Sequence, residues 1–141
     1  MFRRHSLRGT NTLRINSASI ILSLLALIPY SGIARETLFT QGNCTIVYSL
    51  QRSADKYFNH EIAQLSTQIN RKNIRFIDLN NWGKGPPHIE ISGRVRHQLR
   101  QQFQLIEGVN QSVLVDDQGK MISRYSGSVT LVNALLDCDP H

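Results

Sequence analysis

A buried strand that runs directly into an amphipathic helix, over residues 44–58, constrains the fold of this chain more than any other stretch. Thr45–Ser49 is rich in β-branched and aromatic side chains, which is typical of a central strand. Four apolar residues then recur at helical spacing and share one face: Phe58, Ile62, Leu65 and Ile69. We expect this helix to end near Asn70. In open α/β sheets, ligands bind outside the carboxyl end of a strand, where the next helix begins.

The turn between this strand and this helix, residues 51–55, is polar and contains no cysteine, histidine or glycine-rich phosphate loop. We expect Ser53 to cap the helix, because serine is a favoured N-cap residue. Asp55 falls in the first turn, where a negative side chain favours the helix dipole. The turn therefore predicts a binding crevice without indicating a reaction.

Residues 1–34 have the pattern of a secretory signal peptide. Four arginines, with no acidic residue, are followed by an apolar run over residues 20–28 and then by small residues, so we expect cleavage after Ala34. The alternative is an uncleaved membrane anchor, but the apolar run is about half of the ~20 residues that a spanning helix needs. We expect an exported protein, periplasmic or secreted, and the short arginine-rich leader looks bacterial. Membrane attachment would come only from an uncleaved leader.

The basic net charge of +6 does not indicate nucleic-acid binding. The chain has 16 Lys and Arg against 10 Asp and Glu, and four of the arginines lie in the leader. From Arg35 onward there remain 12 basic and 10 acidic residues, a net charge of only +2. Most of the excess basicity belongs to the export signal, so it gives no support for a nucleic-acid partner.

A second strand and a loop follow the first helix. Ile74–Leu79 has the composition of a strand, parallel to the first if the helix is a crossover. Residues 80–87 are rich in glycine and proline and form a loop. Trp82 in this loop is the single tryptophan of the chain. We favour an indole that folds back over the core, and the alternative is a binding platform.

The rest of the chain predicts a helix, a hairpin and a final helix. The expected elements are a helix over Gly93–Gln104 capped by Ser92, strands over Ser112–Asp116 and Lys120–Ser126 joined by a turn at Asp117–Gly119, and a helix over Ser128–Asp137. We expect Met121, and as a second candidate Ile122, to face inward. Arginines at 94, 96 and 100 are expected to face water, with an anionic partner as the alternative.

This order of elements is a parallel βαβ half followed by an antiparallel ββα half, and residues 44–138 resemble a thioredoxin-type domain. The stretch from Phe103 through Ser112-Val-Leu-Val-Asp-Asp-Gln-Gly-Lys-Met to the last helix is similar to the family of small exported thioredoxin-like domains catalogued as domain of unknown function 4174. The resemblance implies an α/β three-layer sandwich, βαβαββα, around a four-stranded mixed sheet. It places a lead-in at residues 35–43 and the domain at residues 44–139.

The resemblance also locates the site at which a redox thioredoxin carries Cys-x-x-Cys followed by lysine. The matching positions are Arg52–Asp55, followed by Lys56, and both sulfurs are missing. The position of the family's cis-proline matches Gln111, where a cis bond would cost about 2.5 to 4 kcal/mol. Thiol–disulfide exchange is therefore not supported at either half of this site.

The chain has two cysteines, Cys44 and Cys138. In an oxidising compartment, an even pair is more often a structural bridge than two free thiols. In the thioredoxin-like topology the start of the first strand lies near the end of the last helix, so the resemblance implies a Cys44–Cys138 disulfide. The alternative is two unrelated buried thiols.

The histidines do not have the spacing of a metal site. No pair shows the i, i+4 or short-loop separation that zinc usually needs, and we expect all of these at the surface: His60, His88, His97 and His141. No nucleophile elbow or Cys-His arrangement is present. We expect no metal and no cofactor.

These features predict an exported, non-redox thioredoxin-like domain that works by binding. The candidate crevice residues are Arg52, Ser53, Asp55, Trp82 and Gln111, with Arg52 and Asp55 as a potential pair. The ligand would be an unknown peptide, protein or small acidic molecule. The alternative is an enzyme, a degenerate thiol peroxidase or oxidoreductase in which Cys44 or Cys138 reacts. A third possibility is a structural subunit of an envelope assembly, recognisable by an exposed apolar patch.

Overall fold

A computed structural model describes residues 37–127 and 131–138 of the chain. The predicted signal peptide, residues 1–34, lies outside the described residues, as do positions 35–36, 128–130 and 139–141. The elements are β1 (Cys44–Ser49), α1 (Arg52–Gln64), α2 (Ser66–Lys72), β2 (Ile74–Asp78), α3 (Gly93–Phe103), β3 (Gln111–Asp116), β4 (Met121–Ser126) and α4 (Leu131–Asp137). None of the described helices has the length and apolarity to cross a membrane.

The four strands form one mixed sheet in the order β2-β1-β3-β4. β1 is parallel to β2 and antiparallel to β3, and β4 is antiparallel to β3. All six residues of β1 are buried, which explains the β-branched and aromatic composition of this inner strand. A parallel βαβ half followed by an antiparallel ββα half is the thioredoxin-like connectivity, so the predicted α/β fold class is confirmed.

Helices cover both faces of the sheet. Successive side chains of β1 point to opposite faces and so contribute to a core on each side. The first core lies on the side of α1, α2 and α4 and includes Ile46, Tyr48, Phe58, Ile69, Phe76, Leu114 and Leu131. The second lies on the side of α3 and includes Phe39, Val47, Ile77, Leu99, Phe103, Val113 and Val115. The result is the three-layer arrangement expected from the sequence.

The first predicted helix is divided into α1 and α2 at Leu65, but its apolar face is as predicted. Phe58, Ile62 and Ile69 are buried, and Leu65 packs against the same core. The expectation that Ser53 caps the helix is wrong. Helix α1 begins at Arg52, and the N-cap position is held by Gln51, whose backbone is extended. Ser92, by contrast, caps α3 as predicted, since its hydroxyl accepts a hydrogen bond from the Val95 N–H at 3.2 Å.

The hairpin between β3 and β4 turns at Gly119, which has φ of 81° and so adopts the left-handed conformation that the sequence predicts. The inward orientation expected for Met121 and Ile122 is wrong, because both are exposed. The pairing of β3 with β4 shifts register between Leu114 and Val115. This irregularity places one extra residue on β4, which is an edge strand of the sheet.

The lead-in is part of the folded domain, although it was expected to be a polar connection. Residues 37–39 are helical, and Phe39 is fully buried in the second core. Its ring packs edge-on against Phe103, with centroids 6.3 Å apart. A Cβ on Gly119 would lie 2.8 Å from the Phe39 ring, so this glycine also makes room for the lead-in. The folded unit therefore begins before β1.

Cys44 and Cys138 form a disulfide, as the resemblance implies. Cys44 is the first residue of β1, Cys138 directly follows α4, and both are buried. The Lys72 ammonium, at the end of α2, donates to the carbonyl oxygens of Leu135 (2.6 Å) and Cys138 (3.3 Å). The last helix is thus held by both a covalent bond and a cation at its carboxyl end.

Replacing both cysteines with alanine should lower the free energy of unfolding by about 4 to 5 kcal/mol, because the bridge closes a loop of 94 positions in the unfolded chain. Urea denaturation followed by circular dichroism measures this loss. Wild-type protein unfolded in the presence of reductant is the control and should have the same midpoint as the double variant. Equal urea midpoints for the oxidised wild type and the double variant would contradict a stabilising role of the disulfide.

Candidate functional site

The predicted crevice lies at the edge of the sheet where β1 and β2 end and β3 begins. Tyr48 pairs with Asp78 on one side and with Ser112 on the other, which brings these three chain segments together. Three connections border this edge: the start of α1, the Trp82 loop (residues 79–92) and the loop before β3 (residues 104–110). This edge is where α/β folds of this kind bind their ligands.

Arg52 and Trp82 come together at this edge. The Arg52 guanidinium carbon lies 4.7 Å from the centroid of the indole, which is a cation–π contact. Trp82 is 40% exposed and belongs to neither core, so the expectation that it covers the core is wrong. An exposed cation stacked on an exposed aromatic surface is an arrangement that can bind a ligand with both charged and apolar groups.

The loop before β3 is attached to the start of α1 by Gln51, which sequence reasoning did not single out. The Gln51 backbone N–H donates to Asn110 Oδ1 at 2.6 Å, and its side-chain amide donates to the Gly108 carbonyl at 3.0 Å. In this loop Ile106 and Val109 are exposed, at 61% and 42%. Apolar surface is therefore available beside the first turn of α1.

Two of the predicted crevice residues have modest roles at this edge. Ser53 is exposed on the first turn of α1, next to Arg52. Gln111 is partly buried, and its side-chain carbonyl accepts the Ile106 N–H at 3.1 Å. Gln111 thus shapes its own loop. In the described residues the cis peptide bond joins Pro86 and Pro87, in the Trp82 loop.

Asp78, the last residue of β2, determines the path of the Trp82 loop. Its carboxylate is buried and accepts three backbone N–H groups, from Asn80 at 2.9 Å, Trp82 at 2.9 Å and Gly83 at 2.7 Å. Three hydrogen bonds to a charged acceptor satisfy a group that is costly to bury. The buried end of β2 therefore positions the exposed indole.

Arg100 of α3 links the ends of β1 and β2 from the other face. Its guanidinium donates to Ser49 Oγ at 2.9 Å, to the Leu79 carbonyl at 3.1 Å and to Asn80 Oδ1 at 2.8 Å. Asn80 in turn donates to the Leu50 carbonyl at 2.8 Å. These contacts show that the expectation of a water-facing Arg100 is wrong. The helical pattern could not predict them, because it does not show that α3 ends beside the polar ends of β1 and β2.

Asp55 lies inside the protein and does not line the crevice. It is 5% exposed, and among the described residues its Oδ1 has no hydrogen-bond partner. Burial raises the pKa of this carboxyl, the nearby Asp78 carboxylate raises it further, and the Arg52 charge lowers it in part. The predicted pair of Arg52 with Asp55 is thus a weak electrostatic interaction, since the Arg52 side chain stacks on Trp82.

A partly buried hydrogen bond joins Tyr48 of β1 to His88 of the Trp82 loop. Tyr48 Oη and His88 Nε2 are 2.8 Å apart. Burial, with the Asp78 and Asp55 carboxylates, raises the pKa of the fully buried Tyr48 hydroxyl. Burial lowers the pKa of His88, although the Gly85 carbonyl and Asp78 favour its charged form.

The expected surface position is wrong for His88, whereas His60 and His97 are exposed as predicted and His141 lies outside the described residues. Residues 87–89 pair with the outer edge of β2 through the Phe76 N–H and carbonyl. The only signal in the sequence is the alternation of Ile89 and Ile91, which pack against the second core and leave His88 on the opposite face. Among the described residues no group of three or more potential metal ligands comes together.

Comparison with known proteins gives a fold likeness only. No protein-family model matches this chain, and no curated protein matches it. Among solved structures, a cysteine-to-serine mutant of Entamoeba histolytica thioredoxin is similar over 74% of this chain and 89% of that chain, with 15% identity and a TM-score of 0.45. The fold class follows from the strand order and the strand directions. The resemblance to the domain of unknown function 4174 family stays a prediction.

Asp55→Asn should raise the free energy of unfolding at neutral pH by about 1 to 2 kcal/mol, because it removes a buried charge with an unpartnered oxygen. The folded-state pKa lies above the ordinary value of 3.8, so the wild-type carboxylate destabilises the fold above that folded-state pKa. The difference between variant and wild type should therefore shrink as the pH falls towards 3.8. Chemical denaturation across this pH range measures it.

Asp117→Asn is the matched control for the Asp55 variant, because it changes the charge equally in an exposed turn. It should leave stability nearly unchanged at every pH. A stability loss in Asp55→Asn that is larger at neutral pH than in acid would show that the carboxylate is needed for the fold and would contradict the prediction.

Proposed function

We propose that this protein is an exported thioredoxin-like domain that binds a peptide in its crevice and performs no thiol chemistry. The observation that carries the proposal is the stack of the Arg52 guanidinium on the exposed Trp82 indole. The stack occupies the position at which, by the resemblance, a redox thioredoxin has its cysteine pair. A recognition surface thus stands where the reactive sulfurs are missing.

The chemistry of the crevice favours a peptide that combines an acidic group with apolar side chains. Arg52 supplies a cation, and the start of α1 adds the positive end of a helix whose first N–H groups donate no capping bond to the Gln51 side chain, which itself donates to Gly108. Trp82, Ile106 and Val109 supply exposed apolar surface. An acidic residue, or a terminal carboxylate, next to apolar residues would match both features.

The cysteines are badly placed for the enzymatic alternative. Both are buried in the disulfide, and Cys44 lies at the opposite end of β1 from the crevice. At about 3.3 Å per residue, Cys44 is roughly 16 Å along the strand from Ser49. No thiol therefore lies near the exposed crevice residues.

Two features support export, which remains part of the proposal. The sequence of residues 1–34 has the pattern of a signal peptide. A structural disulfide is typical of proteins from oxidising compartments such as the periplasm. An exported domain that binds peptides would meet unfolded or extended segments of other envelope proteins.

Selection of a phage-displayed library of random peptides against the wild-type domain tests the binding proposal. We expect enriched peptides to contain an acidic residue next to apolar ones. Arg52→Ala and Trp82→Ala should each weaken a selected peptide at least about tenfold in isothermal titration calorimetry, which corresponds to ~1.4 kcal/mol.

The matched controls for these binding variants are Arg71→Ala and Leu136→Ala, which remove an exposed cation and an exposed apolar side chain elsewhere. Both should bind the selected peptide as the wild type does. Selected peptides that bind the Arg52 and Trp82 variants with wild-type affinity would place the binding surface elsewhere, and a library without enrichment would overturn peptide binding.

Thiol labelling separates the binding proposal from the enzymatic alternative. With a maleimide reagent, neither Cys44 nor Cys138 should be labelled in the native, unreduced protein, because the two sulfurs are bonded and buried. Both should be labelled after denaturation with reductant. Rapid labelling of either cysteine in the native protein, measured by intact mass, would favour a reactive thiol.

A further inference from the structure

The Trp82 loop is attached to the sheet by two side chains of different chemistry. Asp78 holds the first part of the loop through hydrogen bonds from the backbone N–H groups of Trp82 and Gly83. His88 holds the last part through its bond to the Tyr48 hydroxyl. Since the exposed indole lies between these attachments, a change at either one would alter the crevice.

The imidazole of His88 is enclosed on several sides. Its ring lies 6.2 Å from the Tyr48 ring and 5.8 Å from the Phe76 ring, centroid to centroid. A Cβ at Gly83 would lie 2.5 Å from His88 Nε2, so the ring fills the space that this glycine leaves. His88 therefore packs directly against the residue that follows Trp82.

The hydrogen bonds around His88 indicate which ring nitrogen carries the hydrogen when the imidazole is neutral. Nδ1 lies 3.3 Å from the Gly85 carbonyl, which only accepts, so Nδ1 carries the hydrogen of the neutral ring. Tyr48 is fully buried and its raised pKa keeps the hydroxyl protonated. The Tyr48 hydroxyl thus donates to Nε2 while His88 is neutral. A protonated Nε2 would instead donate to the Tyr48 oxygen, and the buried Tyr48 O–H would lose this acceptor.

We propose that the Tyr48–His88 hydrogen bond is a proton-controlled latch that holds the Trp82 loop and makes the crevice sensitive to pH. When Nε2 gains a proton it donates to the Tyr48 oxygen, so the buried Tyr48 O–H loses its acceptor and a charge is placed beside Phe76 and Gly83. The backbone hydrogen bonds of Pro87 and Ile89 to Phe76 remain, while the part of the loop between Gly83 and His88 loosens and the indole moves away from Arg52. The effect on ligand binding rests on the proposed function, whereas the latch itself is a property of the loop.

The charged and titratable groups that face the latch come from three elements. Tyr48 lies on β1, Asp78 on β2 and Asp55 on α1, and all three interact electrostatically in this region. Lys84 and Glu90, in the loop itself, are exposed. Asp78 favours the charged form of His88, but the larger effect of burial lowers the pKa below the ordinary 6.5.

The sign of the pH dependence follows from this lowered pKa. The unfolded chain takes up the proton at a higher pH than the folded chain does, so the latch is fully closed above pH 6.5. It weakens as the pH falls from there through the folded-state pKa. Asp55 titrates with the opposite sign, because its pKa is raised, and therefore does not produce the same loss.

Fluorescence of Trp82, the single tryptophan, measures the latch without any ligand. The full-length protein is titrated from about pH 8 to about pH 5, where histidine is the usual titrating side chain. In the wild type we expect one change of emission with a midpoint below pH 6.5. His88→Gln retains an acceptor for Tyr48 but does not titrate, so its emission should stay at the neutral-pH value.

His97→Gln is the matched control, because His97 is exposed on α3, and it should keep the wild-type transition. Tyr48→Phe removes the donor, and its emission near pH 8 should already resemble that of the wild type in acid. A wild-type emission that does not change with pH, or the same transition in His88→Gln or Tyr48→Phe, would overturn the latch.

A selected peptide then tests the link to binding. Its affinity for the wild type should fall at least about tenfold between pH 8 and pH 5, and its affinity for His88→Gln should change much less. A fluorescence transition without any peptide binding would retain the latch and reject the proposed function. Peptide binding with equal pH dependence in both proteins would reject the effect of the latch on binding and retain the proposed function.

Discussion

The pairing of β1 with a strand on each side is the constraint on which the rest of the structure depends. It buries all six residues of the strand and sends alternate side chains into the two cores. The two ends of the strand have different surroundings. One end is joined to the last helix by the Cys44–Cys138 disulfide, and the other lies at the edge of the sheet where Arg52 stacks on Trp82.

Polar groups at the carboxyl end of β1 determine the geometry of that crevice, and burial affects each of them differently. Asp78 has three N–H partners and orders the Trp82 loop, whereas Asp55 Oδ1 has no partner and its carboxyl has a raised pKa. Among the described residues, the Tyr48 hydroxyl has its hydrogen-bond partner in His88, which is 40 positions away in the sequence. The exposed surface formed by Arg52 and Trp82 therefore depends on a cluster of buried polar groups.

Most of the fold could be predicted because its signals are local. Apolar spacing identified the buried face of α1 and α2, Ser92 marked the start of α3, and Gly119 marked the hairpin. Phe39 could not be placed in this way, because two adjacent apolar residues, Leu38 and Phe39, in a polar stretch show no periodicity. The exposure of Met121 and Ile122 could not be predicted either, because two adjacent apolar residues show no alternation between a buried and an exposed face.

The sequence by itself determined the order of the elements, the absence of cysteine at the strand-to-helix turn and the presence of two cysteines at the ends of the domain. Only the tertiary structure decided that Trp82 lies under Arg52, that Asp55 is buried and that His88 reaches Tyr48, 40 positions away. The physical reason is the range of the interactions. Periodicity and capping act within one element, whereas burial and hydrogen bonding of polar side chains depend on segments that meet only after the sheet has formed.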